Sequence, residues 1–233
     1  MSIQAVLFDL DNTLTHRDLS VQAYSQFLIN EFQSSLNHTD QTQVDKTIEI
    51  VRRIDNGGYP KKELLTQPSI AGSVADALIA ELDWHQKPNL DHLTQFWFEQ
   101  FGLSAVPMEG AEALLKKLKN NHYTLAVISN GGHATRLKIL EGLGFTQYFD
   151  RIFSSELVGV SKPKPEIFLH SCAELGVDPQ HSLYIGDHPI NDYQGAQSAG
   201  LNALLLEGFH PLEHYIDQPP KRIQHLNQVL DYV

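Results

Sequence analysis

The sequence predicts an α/β fold, a doubly wound parallel sheet interrupted by an inserted helical segment. Three observations predict it. Short apolar runs recur along the chain, helical stripes separate the later runs, and residues 17 to about 100 carry helical spacing alone.

The first run, Ile3 to Phe8 (IQAVLF), stops abruptly at Asp9. An unbroken apolar run of this length suits a strand buried on both faces, as in a parallel sheet. Similar runs follow at Thr124 to Ile128, Arg151 to Phe153, Ser182 to Ile185 and Asn202 to Leu206. Leu114, Leu115 and Leu118 mark a helix before the second strand, and Leu137, Leu140 and Leu143 mark one after it. A third stripe, Ile167, Phe168, Cys172 and Leu175, has Pro165 at its start and Gly176 at its stop. Strands alternating with helices imply right-handed crossovers.

The insert carries four stripes. Val21, Tyr24, Phe27, Leu28 and Phe32 share one face, as do Val44, Ile48 and Val51. Ile70, Val74, Leu78 and Leu82 form the third, and Leu93, Phe96, Trp97 and Phe101 the fourth. Four amphipathic helices in sequence read as a small bundle. The expected division is therefore a core of residues 1–16 and 101–233 with a helical cap of residues 17–100.

Composition narrows the function. The 233 residues are 42% hydrophobic and 19% charged, which suits a globular protein. A formal net charge of -11 argues against a nucleic-acid partner and against an anionic membrane surface. A small anionic substrate would need positive charge supplied locally, by a metal or a placed lysine. The single cysteine, Cys172, forms no intrachain disulfide and lies on an apolar stripe, so it reads as core. The opening MSIQAVLFDLDNTL has acids where a signal peptide is apolar, and no run reaches membrane-span length, so the expectation is a cytoplasmic protein.

Open α/β sheets bind ligands beyond the carboxyl ends of their strands. Those ends read Asp9-Leu10-Asp11, Ser129-Asn130, and Gly186-Asp187 with Asp192 following, while the SKPKP loop brings Lys162. Asp9 and Asp11, two apart in extended chain, project to one side. With Asp187 opposite, these carboxylates crowd one space and require a cation. Hard oxygen ligands without a cysteine or paired histidines fit magnesium better than zinc. Lys162 would balance an entering phosphoryl group, and Ser129 could donate to its oxygens.

DLDNT at Asp9 to Thr13, SN at 129, KPKP at 162 and GDHPIND at 186 together resemble the haloacid dehalogenase superfamily. The resemblance spans essentially the whole chain, the insert matching that superfamily's C1-type cap in place and size. It implies a Rossmann-like core with a cap that closes over the site. It implies Asp9 as nucleophile, Asp11 as proton donor and then acceptor, and Lys162 holding nucleophile and phosphoryl group together. It further implies Mg2+ on Asp9, Asp187 and the Asp11 carbonyl, with Asp192 as anchor. Between Lys162 and Lys164, both beside prolines, only the family pattern selects Lys162.

Asp11 favours phosphoryl chemistry, because members that cleave carbon–halogen bonds lack that acid. The expected reaction is hydrolysis of a small phosphorylated metabolite. A phosphomutase, a 2-haloacid dehalogenase and a non-catalytic regulator that binds phosphometabolites are the alternatives. Asn130 joins Ser129 as a substrate-binding candidate, with a turn-shaping role beside it. Arg17, where the chain leaves core for cap, is a further substrate candidate. Arg52, Arg53, Lys61 and Lys62 read as a solvated face, Trp84 and Trp97 as bundle packing, and His188 is left unassigned.

Overall fold

All five apolar runs become strands: β1 (Ala5–Phe8), β2 (Thr124–Ser129), β3 (Arg151–Ser154), β4 (Ser182–Gly186) and β5 (Asn202–Leu206). A sixth, β6 (Arg222–Ile223), lies outside the expectation because two residues carry no readable period. These elements belong to a computed structural model that describes residues 2–211 and 220–233. Every pairing is parallel, in the order β3-β2-β1-β4-β5-β6.

That order runs outward from β1 to β3, then returns to β4 on the other side of β1. The reversal opens a crevice beyond the carboxyl ends of β1 and β4, where ligands settle in such sheets. Register places Phe8 level with Val127 on β2 and with Ile185 on β4. Three strand ends thus finish together.

Both faces of the sheet are covered, which is why its strands read as unbroken apolar runs. Ala5, Leu7, Ala126, Ile128 and Tyr184 pack in one cluster with Ile167, Phe168 and Cys172. The alternate residues Val6, Phe8, Val127 and Ile185 are equally buried.

The chain divides into two units, Met1–His16 with Pro107–Val233, and Arg17–Val106. The helical unit therefore extends through Val106 rather than ending at residue 100. Local contacts explain the difference. Phe101 stacks on Trp97 with ring centroids 4.1 Å apart, and the Val106 N–H donates to Ser20 Oγ at 2.9 Å.

Within that unit the four expected helices are α1 (Arg17–Glu31), α2 (Gln41–Asp55), α3 (Ile70–Glu81) and α4 (Leu90–Gln100). Asp40, Ser69 and Asn89 cap the last three through their side chains. Tyr24 meets Trp97 and Phe101 edge-on at 5.1 and 5.5 Å, so aromatic packing fixes α1 against α4. Trp84 donates its indole N–H to the Leu78 carbonyl at 2.8 Å, as a buried indole requires. Arg52 and Arg53 lie on the surface in ion pairs with Asp18 and Glu81.

The core unit adds α5 (Ala111–Asn120), α6 (His133–Leu143), α7 (Ser155–Val158), α8 (Pro165–Leu175) and α9 (Gly195–Ser198). Pro165 opens α8 and Gly176 ends it in a left-handed conformation. In α6 the buried face is Arg136, Ile139 and Leu140, whereas Leu137 is 40% exposed. No helix among the described residues is long and apolar enough to cross a membrane.

Candidate active site

The turn after β1 sets the site's geometry. The Asp9 N–H still bonds to Ile185 O at 2.8 Å, extending the parallel ladder by one residue. The Leu10 carbonyl then accepts from the N–H groups of Leu14 and Thr15, both at 2.9 Å. Asn12 closes this turn with φ of 56°, a left-handed conformation that asparagine tolerates better than most residues. Asp9 and Asp11 flank Leu10 at the start of this bend and engage different partners.

Lys162 is the hub around Asp9. Its ammonium donates to Asp9 Oδ1 and Asp192 Oδ1, both at 2.6 Å, and to Tyr184 Oη at 3.0 Å. Three donors meet three acceptors, so the buried cation is saturated. Asn130 secures the lysine's backbone: its carbonyl oxygen accepts the Lys162 N–H at 2.8 Å and its amide donates to Lys162 O at 3.1 Å. Lys164, by contrast, is exposed at the start of α8. Tyr184 Oη has one proton and two acceptors at 3.0 Å, Ile128 O and Asp192 Oδ1.

Burial pushes the Asp9 carboxyl up to about 8, with Asp192 and Asp187 adding to the rise and Lys162 opposing it. Burial alone would lower Lys162, but Asp192 and Asp9 carry it above the ordinary lysine range. Asp187 is also raised, by burial first and by Asp192, against the pull of His210. One ammonium beside three carboxylates leaves a net negative pocket.

Asp9, Asp187 and Asp192 each present an oxygen within 4.8 Å of the others, and all three are buried. Neither oxygen of Asp187 accepts a well-aligned hydrogen bond from any described residue, although His210 Nε2 lies 3.2 Å from Oδ2. Buried carboxylate oxygens are rarely left so. The donor set, hard oxygens gathered around uncompensated charge, fits a divalent cation of the magnesium type. Gly186 makes the arrangement possible, since a β-carbon there would overlap the Asp192 side chain.

Asp11 has a separate partner. Its Oδ2 accepts from Arg136 Nη1 at 2.7 Å, and the same nitrogen reaches Ser129 Oγ at 3.2 Å and Asn130 O at 3.0 Å. Asp9, Asp11, Ser129, Lys162, Asp187 and Asp192 are thus gathered at the β1, β2 and β4 ends. Asn130 engages the Lys162 backbone through its side chain. Arg17 is buried in the helical unit, where Nε donates to Asp55 Oδ2 at 2.8 Å. His188 caps the following turn, its Nδ1 accepting from Ile190 and Asn191 at 3.1 Å, and burial together with His210 lowers it to about 4.

Three residues escaped the sequence reading. Tyr184 looked like strand filler, and His210 lies in a loop without pattern. Arg136 had a usable signal. Its spacing to Ile139 and Leu140, three and four positions, marks one helix face, and a cation on an apolar face calls for an anionic partner.

The profile described as haloacid dehalogenase-like hydrolase matches residues 3–200. The mouse haloacid dehalogenase-like hydrolase domain-containing protein 3 is 38% identical over 131 residues, 53% of this chain and 51% of that protein. A phosphoserine phosphatase from Thermus thermophilus is 32% identical over 120 residues, 51% of this chain and 48% of its own. The chain spans about half the length of these curated relatives. The magnesium-bound crystal structure of the HAD-hydrolase YfnB from Bacillus subtilis superposes with a TM-score of 0.69 at 24% identity, covering 100% of this chain and 99% of that one. With the family profile running from β1 through α9, the chain belongs to the haloacid dehalogenase-like hydrolases.

Proposed function

We propose that this hydrolase is a phosphatase acting on a small phosphomonoester through an aspartyl-phosphate on Asp9. The observation that carries the reading is the pairing of Asp9 with Lys162 at 2.6 Å, beside Asp11 held over Ser129 by Arg136. The likeness to a phosphoserine phosphatase supports phosphoryl transfer.

Asp9 is the nucleophile: one carboxylate oxygen bonds to phosphorus as the ester oxygen departs. Lys162 keeps that carboxylate oriented and offers charge to the equatorial phosphoryl oxygens, which carry the developing negative charge. Ser129 Oγ, at the end of β2, binds one of those oxygens. Asp11 gives a proton to the departing ester oxygen and later takes one from the attacking water. Asp9, Asp187 and the Asp11 carbonyl, with Asp192, would hold magnesium, whose charge would let an anion approach a carboxylate. A phosphorylated metabolite in a reducing, cytoplasmic setting suits the single buried Cys172.

The test is a screen of phosphomonoesters for phosphate release with magnesium, followed by borohydride trapping of the intermediate. Conversion of Asp9 to homoserine in the trapped protein is expected, with release abolished by chelation and by Asp9→Asn. Full activity in Asp9→Asn, or no release from any phosphomonoester, would sink the reading.

A further inference from the structure

Arg136 is a buried cation at the strand ends that the reaction's essential steps leave without a role. It sits one turn into α6, and its guanidinium doubles back across Gly131. A β-carbon on Gly131 would stand 3.1 Å from Cζ and from Nη2, and the residue's φ of 130° independently calls for glycine. Chain and side chain are thus shaped around one another.

The hydrogen bonding of this guanidinium is uneven. Nη1 serves three acceptors, Asp11 Oδ2, Ser129 Oγ and the Asn130 carbonyl, whereas the buried Nε has no acceptor among the described residues. A purely structural arginine would be expected to satisfy its buried donors. Here the position of Nη1 is maintained at the cost of Nε. The contact to Asp11 is through a single carboxyl oxygen, with side chains only 10% and 16% exposed.

We infer that Arg136 is a positioning residue for Asp11, holding its carboxyl group for proton transfer. The inference rests on the phosphatase reading and deepens it. In the first half-reaction the Asp11 carboxyl O–H bond breaks and its proton passes to the ester oxygen. That oxygen keeps the electron pair of the breaking P–O bond as phosphorus bonds to Asp9. In the second, the Asp11 carboxylate takes a proton from water while the water oxygen bonds to phosphorus and the Asp9–phosphorus bond breaks. The sum is ester and water giving alcohol and phosphate.

The leaving group reports on this role. An alkyl phosphate needs its departing oxygen protonated, whereas p-nitrophenolate leaves as a stabilised anion. Both substrates are compared by kcat/KM, which covers phosphorylation alone, in the full chain with magnesium. Arg136→Gln is expected to lower the alkyl-to-aryl ratio by at least ~10-fold, part of the ~10²–10⁴ that a positioned proton donor contributes. Arg136→Lys is expected to recover part of that ratio. Because both values come from one preparation, partial misfolding cancels. An unchanged ratio in both variants, beside a wild type that hydrolyses both esters, overturns the positioning role alone. A wild type that hydrolyses neither overturns the phosphatase reading and this inference with it.

Discussion

Lys162 and Asp9, 153 positions apart in the chain, meet at 2.6 Å in the core. Neither would be tolerated there alone, since a buried charge without its partner is more costly than either a pair or an apolar substitute. Lys162→Met preserves length and removes the charge, leaving Asp9 and Asp192 face to face. At neutral pH the variant should lose ~3–5 kcal/mol of stability in urea titrations, the usual effect of breaking a buried pair. Phosphate release should fall ~10²–10³-fold, as for loss of a preorganised electrostatic contact. A variant as stable as the wild type at pH 7 contradicts this account of the hub.

Asp9 also links stability to pH. Folded, it holds its proton up to about 8, whereas an ordinary aspartate loses it near 3.8. Between those values the native state binds more protons than the unfolded state, so the contribution of this group falls as pH rises through the window. Protein stripped of divalent ions should therefore lose stability from this source toward pH 8. Magnesium binding needs the ionised carboxylate and should release a proton, tightening as pH rises to about 8. Calorimetry at pH 6.5 in two buffers of different ionisation enthalpy measures that proton directly. Equal apparent enthalpies in the two would show that Asp9 is already ionised.

The strands were legible because burial on both faces writes an uninterrupted apolar signal, and acids ending such runs stand out. Asp9 and Asp187 stood out for that reason, whereas only the family pattern singled out Lys162. Arg136 was hidden by Leu137 and Leu143, whose spacing suggested a leucine face that the helix turns partly outward. Periodicity records which residues are apolar and is silent about a buried cation with a distant anion. The return from the helical unit was misplaced for a related reason: Phe101 ends a helical stripe, but the chain stays with that unit until Val106 through a hydrogen bond to Ser20. No periodic signal encodes a single side-chain hydrogen bond.

Arg17 has two candidate roles, and an experiment separates them. Its place at the junction suggested a substrate contact, yet its guanidinium is engaged by Asp55, with side chains 7% and 1% exposed. Asp55 also accepts the Gly58 N–H at 3.2 Å, and the Arg17 guanidinium lies 5.2 Å over the Phe101 ring. The pair thus ties the start of α1 to the end of α2 and to the aromatic cluster. Arg17→Met or Asp55→Asn alone should cost ~3–5 kcal/mol, since each strands a buried partner. The double variant should be less destabilised than the sum of the two, because residues in contact do not act additively. Thermal melts of the three proteins, with KM for whichever phosphomonoester the wild type hydrolyses, complete the comparison. If Arg17→Met raised KM while melting with the wild type, the guanidinium would be a substrate contact and the ion pair with Asp55 incidental.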